Sequence, residues 1–292
     1  MSRLVLAPNE FRILEGLRLS PRKAFQGRVR GERLTRKKGI SIDFDDYRDY
    51  VEGDDLRHLD WNVLARLGQP VMKTYRDEED LAVHLLLDCS ASMSFGEPSK
   101  LEYAARIACA LGYIALSGGD AVYPRTLGSR QQPLPALRGR ASYPKLARWA
   151  SAVEPVGNHG LAEELRLFAA SGVRAGMAMI VTDGMDPDLV PGIRILGGRG
   201  HEVNVLQILS DIELRPDLEG DLRLLDIESA SAVEITANSI TMAAYKKSLN
   251  EHNDAVAEEC RRLGGRYTLL TVGTALDRFV LDVLRRNRWV AA

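Results

Sequence analysis

Three stretches of this 292-residue chain are almost continuously apolar and stand far apart in the sequence. They are LAVHLLLD at 81–88, MAMIVTD at 177–183 and VNVLQIL at 203–209. Apolar runs without alternation are typical of strands buried on both faces of a parallel sheet, where helices cover both sides. The chain is therefore expected to form a central, mostly parallel sheet, which restricts it to α/β architectures.

Helical patterns lie between these runs and strengthen the α/β prediction. Helices are predicted from Ser99 to Gly118, near 143–153 and 161–171, and over 188–196, 239–263 and 276–286, with further strands at 121–127 and 266–272. Two alternating segments within 222–236 flank Ser229-Ala230-Ser231, which predicts a two-stranded β-hairpin. Strands that alternate with helices give a sheet covered by helices.

Composition and charge exclude several functional classes. Lys and Arg total 39 against 40 Asp and Glu, so the net charge of −1 argues against a broad basic surface for nucleic acid. No apolar run reaches the roughly 20 residues of a membrane span, and the N-terminus lacks the apolar core of a signal peptide. Cys89, Cys109 and Cys260 lie too far apart to suggest a disulfide framework or a zinc site. We expect a cytoplasmic protein without an integral membrane segment, with peripheral attachment to the inner membrane as an alternative.

The segment 20–80 differs from the rest of the chain in its density of charge. Aromatic and aliphatic residues such as Tyr47 are interleaved with the charges, which favours an ordered arm over a disordered segment. The predicted organisation is an N-terminal helix and charged arm at 1–80, followed by an α/β domain at 81–292 with a hairpin insertion at about 220–236.

Oxygen-bearing side chains follow the first two apolar strands. A D-x-S-x-S sequence formed by Asp88, Ser90 and Ser92 comes after the first, and T-D-G, containing Thr182 and Asp183, comes after the second. Ligands of open α/β sheets lie beyond the carboxyl ends of the strands, so these loops are expected to meet at one edge. Carboxylate and hydroxyl oxygens suit Mg²⁺ or Mn²⁺, with water in the remaining positions.

The paired motifs resemble the metal-ion-dependent adhesion site of von Willebrand factor A domains. Upstream, DFDDYRDYVEGDDLRHLDW at 43–61 and then Ala65-Arg66 resemble the signature of a bacterial family of unknown function, which places it directly before an A-type domain. Leu59 and Asn62 depart mildly from that signature, in which Ile and Lys are usual. The resemblance, clearest over about residues 30–210, implies a von Willebrand factor A-like, Rossmann-like three-layer sandwich with an N-terminal arm.

The resemblance also implies a function. A divalent cation, Mg²⁺ or Mn²⁺, would be held by Asp88, Ser90, Ser92 and Asp183. An open coordination position on that cation would accept a carboxylate from a partner protein, while Thr182, Asp186 and His159 would contact the partner or support the ligands. Similar proteins are associated with MoxR-type AAA+ ATPases, so the chain is expected to be a non-enzymatic adaptor working with such an ATPase on a client complex.

Three alternatives stay open from the residues alone. The middle loop at 157–161 lacks the Thr that metal-binding A-type domains usually place there, so a metal-free scaffold is one of them. A Mg²⁺-dependent hydrolase using the same carboxylates is another, although the sequence offers it no evident nucleophile. Ordinary turn chemistry also explains Asp-Gly and Asp-x-Ser sequences, and Asp186 would then cap the following helix. The histidines at 58, 84, 201 and 252 are predicted to be isolated.

Overall fold

The computed structural model describes residues 6–23, 25, 43–52, 54, 56, 59–76, 80–129, 132–157, 160–227 and 231–291. Its helices are α1 (Pro8–Leu14), α2 (Trp61–Leu67), α3 (Lys100–Gly118), α4 (Tyr143–Ser151), α5 (Leu161–Ala170), α6 (Leu189–Gly198), α7 (Asp211–Leu214), α8 (Ser239–Arg262) and α9 (Leu276–Arg278). Helix α9 continues as a π-helical segment, Phe279–Arg285, and short 3₁₀ turns lie at Ala91–Ser94 and Arg140–Ser142.

The strands complete the element list. They are β1 (Arg18–Leu19), β2 (Asp43–Asp49), β3 (Val71–Arg76), β4 (Ala82–Asp88), β5 (Ala121–Leu127), β6 (Leu137–Arg138), β7 (Met177–Thr182), β8 (Glu202–Leu209), β9 (Gly220–Leu225), β10 (Ala232–Ala237), β11 (Arg266–Thr271) and β12 (Val290–Ala291). The chain forms two compact units, one of Met1–Lys23 with Leu81–Ala292 and one of Ala24–Asp80.

A six-stranded sheet in the order β11-β8-β7-β4-β5-β6 lies at the centre of the larger unit. Its first five strands are parallel and β6 pairs antiparallel at one edge. Every residue of β4, β7 and β8 is buried, as expected for mostly apolar strands covered on both faces. The predicted α/β fold with a mostly parallel sheet is confirmed.

The N-terminal residues belong to the α/β unit, whereas the sequence analysis grouped 1–80 together. The Phe11 ring of α1 packs edge-on against Tyr113 and Tyr143, with centroids 4.8 and 5.1 Å away. Strand β1 also pairs antiparallel with β12 at the far end of the chain. These contacts cover α3 from outside the sheet, and elements of seven and two residues give too little periodicity to predict them.

The predicted hairpin is present, with β9 and β10 paired antiparallel from Gly220↔Ala237 to Leu225↔Ala232. Most of its residues are exposed, and Leu225 and Val233 are among its exposed apolar side chains. Among the described residues, no helix combines the length and apolar character needed to cross a membrane.

The smaller unit contains regular structure that the sequence analysis described only as an ordered arm. Strands β2 and β3 form an antiparallel pair with an irregularity between Phe44 and Asp46. Asp60 caps α2 by accepting hydrogen bonds from the amides of Asn62 and Val63, and it also accepts one from the Tyr47 hydroxyl. Arg48 and Asp54 form a bidentate ion pair.

Candidate functional site

A cavity of about 450 Å³ opens where β4 and β7 end. Its polar lining includes the four predicted metal ligands, Asp88, Ser90, Ser92 and Asp183. Apolar side chains form the rest of the wall, among them Leu161, Met185, Pro187 and Ile227. The structure therefore brings the two motifs together at the carboxyl edge of the sheet, as the strand order predicts.

Asp88 connects the two motif loops. Its Oδ1 accepts a hydrogen bond of 2.9 Å from the Ser90 amide, which turns the chain sharply at the end of β4. Its Oδ2 accepts one of 2.5 Å from the Thr182 hydroxyl at the end of β7. Because the Thr182 Oγ1 also accepts from the Gly184 amide at 2.9 Å, this buried hydroxyl fixes the T-D-G loop relative to Asp88.

The two serine hydroxyls of the first motif face each other. Ser90 Oγ and Ser92 Oγ are 3.0 Å apart, and both side chains line the cavity beside Asp88. Neighbouring ligands of an octahedral Mg²⁺ with bonds of about 2.1 Å are separated by about 3.0 Å. The spacing of the two hydroxyls thus matches either a mutual hydrogen bond or two adjacent ligand positions.

Asp183 is held by a lysine that sequence reasoning missed. Lys100 Nζ lies 2.8 Å from Asp183 Oδ2 and 2.5 Å from Glu213 Oε1, and the lysine side chain is only 1 % exposed. Burial lowers the pKa of Lys100, but the two carboxylates outweigh burial and the net shift is upward. Burial also raises the pKa of Asp183, against the opposing effect of the Lys100 ammonium.

One signal in the sequence points to Lys100. It is the first residue of α3, directly after the N-cap Ser99. A lysine is unfavourable at that end of a helix, because the helix dipole there attracts negative charge. Such a misplaced cation next to a loop of predicted carboxylates indicates an ion pair across the site.

The remaining predicted site residues have different positions. Asp186 lines the cavity, but its Oδ2 accepts a 2.7 Å hydrogen bond from the Leu161 amide at the start of α5, and its Oδ1 accepts one from Asp188. Asp186, in the segment after β7, therefore fixes the start of α5 in the way that a capping residue does. Thr182 orients Asp88. His159 lies outside the described residues.

The donor set fits a hard divalent cation. Asp88, Ser90, Ser92 and Asp183 offer oxygen atoms alone, which suits Mg²⁺ or Mn²⁺. Within the part of the chain that the structure describes, no group of three or more His, Cys, Asp and Glu residues is arranged to hold a metal. A cation here would therefore rely on hydroxyls and water as much as on carboxylates.

Cys89 lies inside the first motif but cannot serve as a ligand or nucleophile. Its thiol donates a 2.7 Å hydrogen bond to the Leu127 carbonyl, away from the two serine hydroxyls. Burial and the neighbouring Asp88 raise its pKa to about 12. The thiolate, which is the reactive and metal-binding form, is therefore unfavourable here.

The prediction of isolated histidines was wrong for His84, His201 and His252, and His58 lies outside the described residues. The rings of His84 and His201 lie 5.2 Å apart in a buried aromatic group with Phe168. His252 Nε2 lies 2.6 Å from the carbonyl oxygen of Gly184, so this helix residue supports the T-D-G loop. Long-range packing between separate strands and helices brings these side chains together, and spacing along the chain does not reveal it.

Fold and site together define an α/β protein with an oxygen-lined cavity at the carboxyl edge of a parallel sheet. The chain belongs to the family described as "Protein of unknown function DUF58", which matches residues 46–255. That match contains the arm signature from Asp46 onward, both cavity motifs and Lys100.

Two mycobacterial proteins are similar along nearly the whole chain. Uncharacterized protein Mb1516 of Mycobacterium bovis and Uncharacterized protein Rv1480 of Mycobacterium tuberculosis are each 28 % identical over 281 residues, covering 93 % of this chain and 87 % of theirs. Among solved structures, BatB from Bacteroides thetaiotaomicron is 15 % identical with a TM-score of 0.44, over 70 % of this chain and 98 % of its own. The pilus adhesin SpaC from Lactobacillus rhamnosus GG is 12 % identical with a TM-score of 0.45, over 72 % of this chain and 31 % of its own.

Proposed function

We propose that this protein is a von Willebrand factor A-like, non-enzymatic adaptor that binds a partner protein through a divalent cation. The observation that carries the proposal is the convergence of D-x-S-x-S and T-D-G on one cavity at the carboxyl edge of the sheet. Asp88, Ser90 and Ser92 would hold Mg²⁺ or Mn²⁺ there, with Asp183 beside them. The bound cation would supply a Lewis-acidic position for an oxygen ligand from the partner.

The charge of the site favours an acidic partner group. Asp183 already has a lysine counter-ion, so the four-residue set offers a divalent cation less negative charge than two carboxylates without a counter-ion would. A cation with few anionic ligands gains a charge-assisted bond from an incoming Asp or Glu side chain. The apolar walls formed by Leu161, Met185 and Ile227 suit the hydrocarbon part of such a side chain.

The residues that line the cavity favour a binding role over a catalytic role. Within the described part of the chain, the polar side chains that line the cavity are carboxylates and serine hydroxyls, and no histidine or lysine, which could activate a serine, is among them. The Cys89 thiol is directed to a backbone carbonyl. These features support a role in recognition.

We further propose a MoxR-type AAA+ ATPase as the partner, acting with the adaptor on a client complex. The support is the resemblance of the arm at 43–66 and of the paired motifs to proteins that are associated with such ATPases. The cytoplasm is the proposed location, because that is where such an ATPase would meet its adaptor.

Affinity capture tests this proposal. The tagged protein, its Asp88→Ala variant and a control Asp282→Ala variant are incubated with native lysate in Mg²⁺, and the recovery of MoxR-type AAA+ ATPase is quantified by mass spectrometry. Wild type and Asp282→Ala, whose change lies on an exposed outer position, should recover the ATPase equally. Asp88→Ala, or wild type in EDTA, should recover at least tenfold less.

Thermal unfolding checks that any loss reflects the cation. Mg²⁺ or Mn²⁺ at about 100 times its dissociation constant should stabilise the wild type by about 2.7 kcal/mol and leave Asp88→Ala almost unchanged. Equal recovery of the ATPase by wild type and Asp88→Ala would overturn metal-mediated binding. A wild-type melting temperature that does not change on addition of Mg²⁺ or Mn²⁺ would also overturn metal-mediated binding.

A further inference from the structure

We infer that the positively charged Lys100 side chain sets the affinity of the cavity for a metal ion. It also keeps a bound metal ion open to the partner's carboxylate. The inference rests on the proposed function, since it concerns the same site. It assigns a specificity-determining role to a residue outside both motifs, and the motifs gave no indication of it.

The geometry places the Lys100 ammonium within the charge system of the cavity. Its Nζ contacts Asp183 Oδ2 at 2.8 Å, and Asp183 itself lines the cavity. The lysine side chain is 1 % exposed and that of Asp183 is 4 % exposed, so water screens their interaction very little. The ammonium charge is therefore felt by any cation that binds beside Asp183.

A second carboxylate fixes the ammonium in this position. Glu213 Oε1 lies 2.5 Å from Lys100 Nζ, while Glu213 Oε2 accepts hydrogen bonds of 2.8 Å from both the amide and the hydroxyl of Ser210. Glu213 is thus anchored to the start of α7 and cannot follow Lys100 elsewhere without breaking these bonds. The lysine is held between an anchored carboxylate and the cavity.

This arrangement limits what Asp183 can give to a metal. Its Oδ2 is engaged by Lys100, and its Oδ1 accepts a hydrogen bond of 3.3 Å from the Met185 amide. Lys100 neutralises the carboxylate and repels a second cation. A divalent ion beside Asp183 would then meet less negative charge, which lowers its affinity for the cavity and raises its gain from an additional carboxylate.

Two substitutions that change the charge around Asp183 in opposite directions test the inference. Lys100→Gln removes the positive charge and keeps a side chain able to donate to Asp183, whereas Glu213→Gln removes a negative charge and leaves Lys100 more fully on Asp183. Mn²⁺ affinity is measured for the full-length protein by electron paramagnetic resonance and calorimetry. Lys100→Gln should bind Mn²⁺ about tenfold more tightly than wild type, and Glu213→Gln about threefold more weakly.

Controls separate this effect from a loss of stability or a general change of charge. Removing either member of a buried ion pair destabilises a fold, so both variants are expected to melt earlier, yet their Mn²⁺ affinities should move in opposite directions. Lys247→Gln removes a charge from an exposed lysine of α8 and should bind Mn²⁺ as wild type does. Each variant is first shown to be folded by circular dichroism.

The outcomes distinguish this inference from the proposed function. Affinity that is unchanged or weaker in Lys100→Gln would overturn the role of Lys100, even where Asp88 proves essential for capturing the partner. Mn²⁺ binding by Lys100→Gln alone, with a wild type that binds neither metal, would support the role of Lys100 and contradict metal-mediated capture by the natural protein.

Discussion

His84 shows at the residue scale how burial changes the chemistry of a single side chain. It is 1 % exposed, and its Nε2 lies 2.9 Å from the Arg174 carbonyl oxygen, so the neutral ring with its proton on Nε2 donates that bond. Burial lowers the pKa of His84 to about 4, against the opposing effect of the hydrogen bond to the Arg174 backbone and with smaller lowering contributions from the charges of His201 and Arg174. The ordinary value of 6.5 applies to the unfolded chain.

The lowered pKa predicts a loss of stability in mild acid. Between pH 6.5 and 4 the unfolded chain binds a proton at residue 84 that the folded chain does not, so the free energy of unfolding falls as the pH falls. At pH 5 this group should cost about 2 kcal/mol relative to pH 7.5. His84→Phe should therefore lose about 2 kcal/mol less than wild type between these pH values in urea unfolding. Equal losses in the two proteins would show that His84 does not control this range.

The site residues differ in how far the sequence could predict them. Asp88, Ser90 and Asp183 were predictable because each follows a strand whose apolar run marks its end, and parallel strands deliver their ends to one edge. Lys100 comes to the same place through the start of α3, and Glu213 through the short helix α7, 113 residues further along the chain. Their meeting depends on the packing of α3 against the sheet, which no local pattern specifies.

At the element scale, the turn from α8 into β11 depends on one close approach. A Cβ placed on Gly265 would lie 1.7 Å from the carbonyl oxygen of Val203 in β8, whereas a Cβ on Gly198 at the end of α6 would meet nothing within 4 Å. Gly265→Ala should therefore destabilise the protein by about 3 kcal/mol or more, because backbone of the central sheet must move. Gly198→Ala should stabilise it by about 0.5 kcal/mol through helix propensity.

Urea unfolding of the two glycine variants provides a matched comparison. Both replace glycine by alanine, so their difference isolates the contact with Val203 from the change in chain entropy. A Gly265→Ala protein as stable as Gly198→Ala would mean that α8 and β11 can separate from β8 at little cost, contrary to the parallel pairing of β11 with β8.

Secondary-structure elements were predictable where they are long and their buried faces leave a clear apolar pattern in the sequence. Strands β4, β7 and β8 carry long, mostly apolar runs, and α8 has a periodic apolar stripe that ends just before Gly264. Their bounds therefore follow from the sequence to within a residue or two. Two-residue pairings such as β1 with β12 are too short to have a period. The sequences of β2 and β3 contain many charged residues and have no clear apolar face. These two strands are therefore recognised from their pairing with each other.

At the scale of the whole molecule, the α/β unit is assembled from both sides of the 24–80 segment. Leu14 and Leu19, on the N-terminal side, are 0 % and 1 % exposed. The amide of Lys23 donates a 2.8 Å hydrogen bond to Glu202 at the start of β8. The N-terminal residues therefore complete the core of a unit whose sheet begins almost sixty residues later.

The register of the sheet predicts that this unit folds without the intervening segment. Glu202 pairs with Met177, and Met177 pairs with Val83, so Lys23 and the start of β4 are separated by about two strand spacings, or about 10 Å. An eight-residue Gly-Ser linker reaches about 26 Å and can replace residues 24–80 without strain. The shortened protein should unfold cooperatively, with a melting temperature within about 5 °C of that of the α/β unit in the full chain.

A second deletion gives this prediction its control. Removing residues 1–23 together with 24–80 takes away β1, α1 and the buried leucines, and this protein should melt at a much lower temperature or fail to fold, since several large apolar side chains of the core are lost. Calorimetry and near-ultraviolet circular dichroism follow both deletions. A non-cooperative transition in the linker variant would show that Ala24–Asp80 is required for the α/β core, and the two deletions would then behave alike. Retained cooperativity in the linker variant alone would assign residues 6–23 to the core and leave 24–80 free to serve the partner.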